Sequence, residues 1–344
     1  MVMKSKNRYL KLILCLFALL AVILDSRSSA LGAAAGIEIC VRSAIPSLFP
    51  AMVLTDIMVR SMDGIGASAI SKLLSIPKGA ESIYLAGILG GYPMGARLIG
   101  QHYSEGNLSK ADAQYMLTFC SNAGPAFIFG LCGPMFSTPA APAALWLIQI
   151  CASLLVAKSK KRKPSCKSFS ANSKPLSLTQ IIINCTKTMA IICGWIVLFR
   201  VLMHFLENWF LWMLSSETGT LLKGILELTI GCCGLGAIGN ESSRFLICTI
   251  LLSFGGLCVC LQTCSLINGL SMMHYIKGKL LQTLYATLIS VGSLSVINYS
   301  LPISIRLMIP ALSMLVIAAT VFYFQKHIAF PKNMIYNTKK QPVR

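Results

Sequence analysis

Residues 80–105, AESIYLAGILGGYPMGARLIGQHYSE, place two apolar runs of about ten residues on either side of Gly90-Gly91-Tyr92-Pro93. As helices rising 1.5 Å per residue, such arms reach roughly 15 Å each, half of a hydrocarbon core about 30 Å thick. The segment therefore predicts a re-entrant hairpin whose tip lies near the midplane of a bilayer. Gly90 and Gly91 permit the reversal, and Pro93 stands where the start of a helix tolerates it. The N–H groups of Met94 and Gly95 then point outward with the positive end of the helix dipole, as an anion-binding terminus. Arg97 follows one turn later, and a guanidinium at that depth costs roughly 2.5–3.5 kcal/mol on insertion scales unless it is partnered, so it is a candidate for function. The opposing reading puts Arg97 nearer the interface, snorkelling to lipid, with the glycines serving close helix packing.

The rest of the chain agrees with a membrane setting. Of its 344 residues 55% are apolar and only 12% charged, where soluble domains carry about 25% charge. Mean hydropathy is +0.71, and apolar segments recur from residue 9 to residue 324. A soluble enzyme is excluded by this composition, and a multi-spanning membrane protein is predicted. No Asp-rich metal motif, H-E-x-x-H or plausible Ser-His-Asp set points to a membrane enzyme, and no G-x-x-x-x-G-K-[ST] loop points to ATP coupling.

The net charge of +19 is gathered beside apolar segments. Four basic residues open the chain (Lys4, Lys6, Arg8, Lys11), seven fall between Lys158 and Lys174, and five close it from Lys326 to Arg344. That distribution holds loops on the cytoplasmic side, so the N-terminus, the 158–174 loop and the C-terminus are expected in the cytoplasm, with no nucleic acid as partner. The 14 cysteines sit mostly inside apolar runs, as Cys15, Cys193 and Cys248 do. They read as small hydrophobes, and neither they nor the four scattered histidines have the spacing of a metal site.

Five parts are expected. Residues 1–30 form an N-terminal membrane anchor, for which a cleaved signal peptide is the alternative. Residues 31–157 form a first half and 158–175 a basic cytoplasmic loop. Residues 176–325 form a second half, and 326–344 a basic tail. In the first half a helix over 31–60 is expected to break at Pro46 and Pro50 of IPSLFP. Ser109 opens a short helix with Asp112 in a capping box, and Ser121-Asn122-Ala123-Gly124-Pro125 ends it and starts another. In the second half, spans near 189–206 and 209–230 lead to Gly231, and 242–268 forms two arms around Phe254-Gly255-Gly256. Spans near 276–298 and 303–324 complete a weak internal duplication, a common construction in transporters that bind at unwound tips. The fold class is thus an all-α integral membrane bundle with two re-entrant or broken-helix hairpins.

The site expected at those tips comprises Gly90, Gly91, Tyr92, Pro93, Met94, Gly95 and Arg97 from the first break. Ser121, Asn122 and Gly124 join from the next turn, with Ser121 or Asn122 serving as cap or ligand contact. Glu227, Thr229, Gly255, Gly256 and Gln262 come from the second half. Glu227 is read as a proton carrier, as a counter-charge to Arg97, or as a paired structural carboxylate, with Asp56 and Glu38 as weaker instances of the same case.

SLFP at 47–50, GGYPMGAR at 90–97, FCSNAGPAFIFG at 119–130, ELTIG at 227–231 and FGGLCVCLQ at 254–262 resemble, in that order, the sporulation integral membrane protein YlbJ group. That group belongs to the nucleoside-recognition or Gate-domain membrane proteins, and the likeness covers roughly residues 30–300. Cys260 and Ile230 depart from the histidine and asparagine associated with the family, which bears on substrate more than on fold. The resemblance implies a Gate-domain fold and a transporter, or transporter component, for a small carboxylate such as dipicolinic acid during endospore formation. Arg97 with an amide at Asn122 or Gln262 would suit that dianion. A nucleoside or other neutral solute is the alternative cargo, with Asn122, Thr229 and Gln262 as hydrogen-bonding groups. A non-transporting assembly factor of a sporulation membrane, docking through 158–174, is the alternative role. The expected location is the cell membrane or the membrane around a forespore. Membrane lipid, the solute and a second copy in a homo-oligomer are the expected partners, and no cofactor is expected.

Overall fold

The computed structural model describes residues 2–62, 68–160, 162–165, 169, 177–297 and 302–327, the side chains of residues 2–8, 68, 297 and 327 excepted. Parts of the basic loop and the basic tail from residue 328 lie outside the described residues. Among the described residues the chain is all-helical, and five helices are long and apolar enough to cross a membrane. The protein is an integral, multi-pass membrane protein.

Helix α1 (Val2–Leu24) is an apolar rod whose side chains from Tyr9 to Leu24 are largely exposed, a surface suited to lipid. Helices α2 (Ser26–Ile39) and α3 (Ile45–Ser61) are joined through a π-helical turn, Cys40–Ala44, into one span of 36 residues. This corrects the expectation that IPSLFP interrupts the helix. The Ile45 amide donates to the Cys40 carbonyl five residues back, and the shifted register puts Pro46 in the first turn of α3, where no donor is needed. Ser47 Oγ donates to the Ser43 carbonyl at 2.7 Å, occupying an acceptor in the same turn.

Helix α4 (Ser68–Leu74) leads to α5 (Glu81–Gly90) and α6 (Met94–Ser104), the ten- and eleven-residue arms expected around the first break. Then come α7 (Lys110–Met116), α8 (Pro125–Phe127) continuing through tight turns to Met135, and α9 (Ala140–Lys158). Ser109 caps α7 by accepting from the Asp112 amide at 3.0 Å, as its capping box predicts. Beyond α9, Arg162 of the basic loop donates to Asp112 at 2.5 Å and to the Ala111 carbonyl at 2.7 Å, which docks the start of that loop on α7. Burial, with Lys277 and Arg162 nearby, pushes the Lys160 ammonium in this loop down to about 8.

Helix α10 (Leu178–Trp209) packs along α2, where Gly32 and Gly36 meet its backbone. The span expected over 209–230 is not one helix. Ser215 caps a separate α11 (Ser216–Leu226), and Glu227, in extended conformation, separates it from α12 (Leu228–Cys233). Helices α13 (Glu241–Phe254) and α14 (Gly256–Leu266) flank the second break. Gly255 and Gly256 have φ of +85° and +82°, a left-handed conformation that only glycine adopts readily. Helices α15 (Met272–Ile297) and α16 (Ile303–His327) complete the chain. Helix α13 packs on α15 and α9, and α14 on α10 and α6, while both arms of the second break touch α11.

Candidate functional site

The first break is held by backbone contact. Gly95 and Gly87 face the Cys120 carbonyl so closely that a Cβ would lie 1.8 Å and 1.9 Å from its oxygen, and Gly91 abuts Gly124. The segment 121–124, which is not helical, therefore lies directly against the tip of the α5–α6 pair. The second break reaches the same place. A Cβ on Gly255 would stand 3.2 Å from the Tyr92 ring, and the Tyr92 hydroxyl donates to the Leu252 carbonyl at 3.0 Å. The tips at Gly91 and Gly255 thus meet through Tyr92.

On one side of that junction is a cavity enclosing about 770 Å³ of empty space, its open mouth included. Its walls include Gly90, Gly91, Tyr92 and Gly124 from the first half and Glu227, Thr229 and Gln262 from the second, with Ser43 and Ser47 from the π-helical region. Glu227 is buried and serves as the cap of α12, accepting from the Ile230 amide at 2.8 Å. Gln262 donates to Cys258 Sγ at 3.3 Å, a weak acceptor.

On the other side lies a buried polar network. Lys279, from α15, is fully buried and donates to the Tyr92 hydroxyl at 2.6 Å, the Ser121 carbonyl at 2.5 Å and Gln282 Oε1 at 2.8 Å. Gln282 Nε2 donates to Asn122 Oδ1 at 2.7 Å, and Gln149 Nε2 of α9 donates to Ser253 Oγ at 2.9 Å. Gly278 brings α15 this close, since a Cβ there would sit 2.2 Å from the Thr118 carbonyl oxygen.

Seven of the expected site residues line the cavity, and several do not. Arg97 is buried on Asp56, with Nη2 donating to Oδ2 at 2.9 Å and Nε to Thr188 Oγ1 at 3.2 Å, and it is not among the cavity-lining residues. Asp56 also accepts from Arg60 at 3.0 Å, so the counter-charge of Arg97 is Asp56 and not Glu227. Glu38 pairs on the surface with Arg42. The Met94 amide donates to the Gly91 carbonyl at 2.8 Å, and Gly95 faces Cys120, so the start of α6 is occupied by the protein's own backbone. Pro93 occupies the N-cap position of that helix without a side-chain hydrogen bond. Ser121 and Asn122 face Lys279 and Gln282 through the Ser121 carbonyl and the Asn122 amide, and Gly256 abuts the Gly224 carbonyl.

Lys279, Gln282, Gln149 and Ser253 were not singled out from the sequence. The available signal was a lysine in the span near 276–298 with a glutamine three residues on, a pair that shares one helical face. No family model, curated protein or solved structure matches the chain.

Proposed function

We propose that the chain carries a small solute across its membrane and that the solute lodges in the cavity where the breaks of the two halves meet. The observation that carries this reading is the composition of the cavity wall, which gathers the first break, the break at Glu227, helix α14 just after the second break and the π-helical turn around one space. Irregular backbone inside a membrane protein is tolerated where it is enclosed by protein or lines a wet cavity. Glycine-broken segments from both halves at one site also support reading them as a duplicated unit around a substrate site. The basic N-terminus, central loop and tail place those parts in the cytoplasm under this reading.

The cargo follows from the lining. Its charged residue is Glu227, while Arg97 is held by Asp56 elsewhere. A dianion entering this wall, which offers no cationic side chain among the described residues, needs a counter-charge. An uncharged solute offering hydrogen bonds to Gln262, Thr229, Ser43 and Ser47 does not, and a nucleoside has that chemistry. The dipicolinate cargo of endospore formation implied by the YlbJ resemblance keeps one supporting observation, the Lys279 ammonium behind the Tyr92 ring, 4.6 Å from its centroid. Thermal unfolding of the purified protein with uridine or dipicolinate separates the two. The expected result is stabilisation by uridine that is lost in the Gln262→Leu/Thr229→Val variant. Stabilisation by dipicolinate alone, undiminished in that variant, would exclude the neutral cargo, and a lack of response to either ligand would count against both.

A further inference from the structure

Lys279 has no exposed surface, and no carboxylate lies within salt-bridge distance of its ammonium among the described residues. A buried cation without a counter-ion is costly, and inside a membrane protein it marks function by default. Its three N–H groups meet three oxygens at 2.5–2.8 Å, matching the donor capacity of an ammonium. All three oxygens belong to neutral groups: a hydroxyl, a backbone carbonyl and a side-chain amide. Each comes from a different segment, namely the first break at Tyr92, the non-helical stretch at Ser121 and helix α15 at Gln282. The rings of Tyr92 and Tyr275 add their π-faces, 4.6 Å and 5.9 Å from Nζ. A carbonyl freed by unwound backbone, a hydroxyl and an amide oxygen form the kind of donor set with which proteins hold hard cations such as Na⁺.

We propose that Tyr92, Ser121 and Gln282 form a monovalent-cation cage whose resident cation is the Lys279 ammonium, tethered by its own side chain. The cage joins the first break to the second, because the hydroxyl that receives Lys279 also donates to the Leu252 carbonyl. A free alkali cation then has no place in the occupied cage, and the junction holds its shape without one. Gly278 is part of the device, since it alone permits the approach of α15 to the 118–121 segment. This inference does not depend on which solute the cavity takes, and its readout is stability, not transport.

The test uses the full chain purified in detergent. Wild type, Lys279→Ala and Lys279→Met are each prepared and heated in NaCl and, at equal ionic strength, in choline chloride, whose cation is too large for the cage. Wild type should unfold at the same temperature in both salts. Lys279→Ala should unfold higher in NaCl by roughly 2 °C or more, the increment expected when an ion binds the folded form only. Lys279→Met fills the space without a charge and should show no such difference. A Lys279→Ala protein that is folded only in NaCl also supports the cage. Equal midpoints for Lys279→Ala in the two salts, its failure to fold in either, or specific stabilisation of wild type by Na⁺ would each overturn the proposal.

Discussion

Asp56 shows how one carboxylate can decide the fate of two arginines. It is buried to 1% exposure and holds Arg97 at 2.9 Å and Arg60 at 3.0 Å. Removing it leaves Arg97 without its anion and Arg60 with only Glu105, at 3.9 Å, and breaking a buried pair costs about 3–5 kcal/mol. Asp56→Asn and Arg97→Met should each lower the unfolding temperature sharply, and the double variant should lose less than the two together, because the Arg97 charge goes with its anion while Arg60 keeps Glu105 at 3.9 Å. Solute binding by any folded fraction should stay at the wild-type level, since Arg97 is not part of the cavity wall. A selective loss of binding by a stable Arg97→Met protein would return Arg97 to the site. Arg97 stands out in the sequence as too costly to be idle, whereas Asp56 is only a weak candidate there. The pair itself was not legible, because residues 41 positions apart meet only through the packing of α3, α5 and α6. Lys279 was hidden for the opposite reason. It stands two residues after Lys277 near the start of a span, and nothing local distinguishes an interfacial lysine from a buried one.

At the scale of elements, close approach of backbones sets the geometry of both breaks. Gly95 faces the Cys120 carbonyl with no room for a methyl group, whereas Gly194 in α10 has open space around its Cα. Gly95→Ala should therefore destabilise the protein and loosen the tip, because backbone atoms cannot yield as a flexible side chain does. Gly194→Ala should stabilise it by up to about 1 kcal/mol, through helix propensity alone. Thermal unfolding of the two variants side by side checks this, and equal effects would show that the contact at Cys120 is slack. The two breaks were legible, since a glycine pair between short apolar arms says where a helix stops. The course of Ser26–Ser61 was not. Two prolines ordinarily end a helix, yet here Pro46 follows a π-helical turn set by backbone hydrogen bonds that the residue types do not specify, and Pro50 is held inside α3. Glu227 gave a partial signal: its acid character marked a special position, while its service as cap of α12 emerged only with the break at that residue.

For the whole molecule, the account rests on two breaks from distant parts of the chain meeting at Tyr92, with a cavity on one side and the Lys279 network on the other. Composition and hydropathy sufficed for the membrane setting and the helical class. The meeting of the breaks depends on long-range packing that no single segment encodes. Most directly, uptake of labelled uridine and of labelled dipicolinate can be measured in proteoliposomes carrying wild type, Ala51→Phe or Leu54→Phe. Ala51 is part of the cavity wall, and Leu54, on the same helix, is 65% exposed on the outer surface. The account predicts uptake by wild type and Leu54→Phe and its loss in Ala51→Phe. Wild-type uptake by Ala51→Phe, with the cavity filled by the added ring, would contradict it.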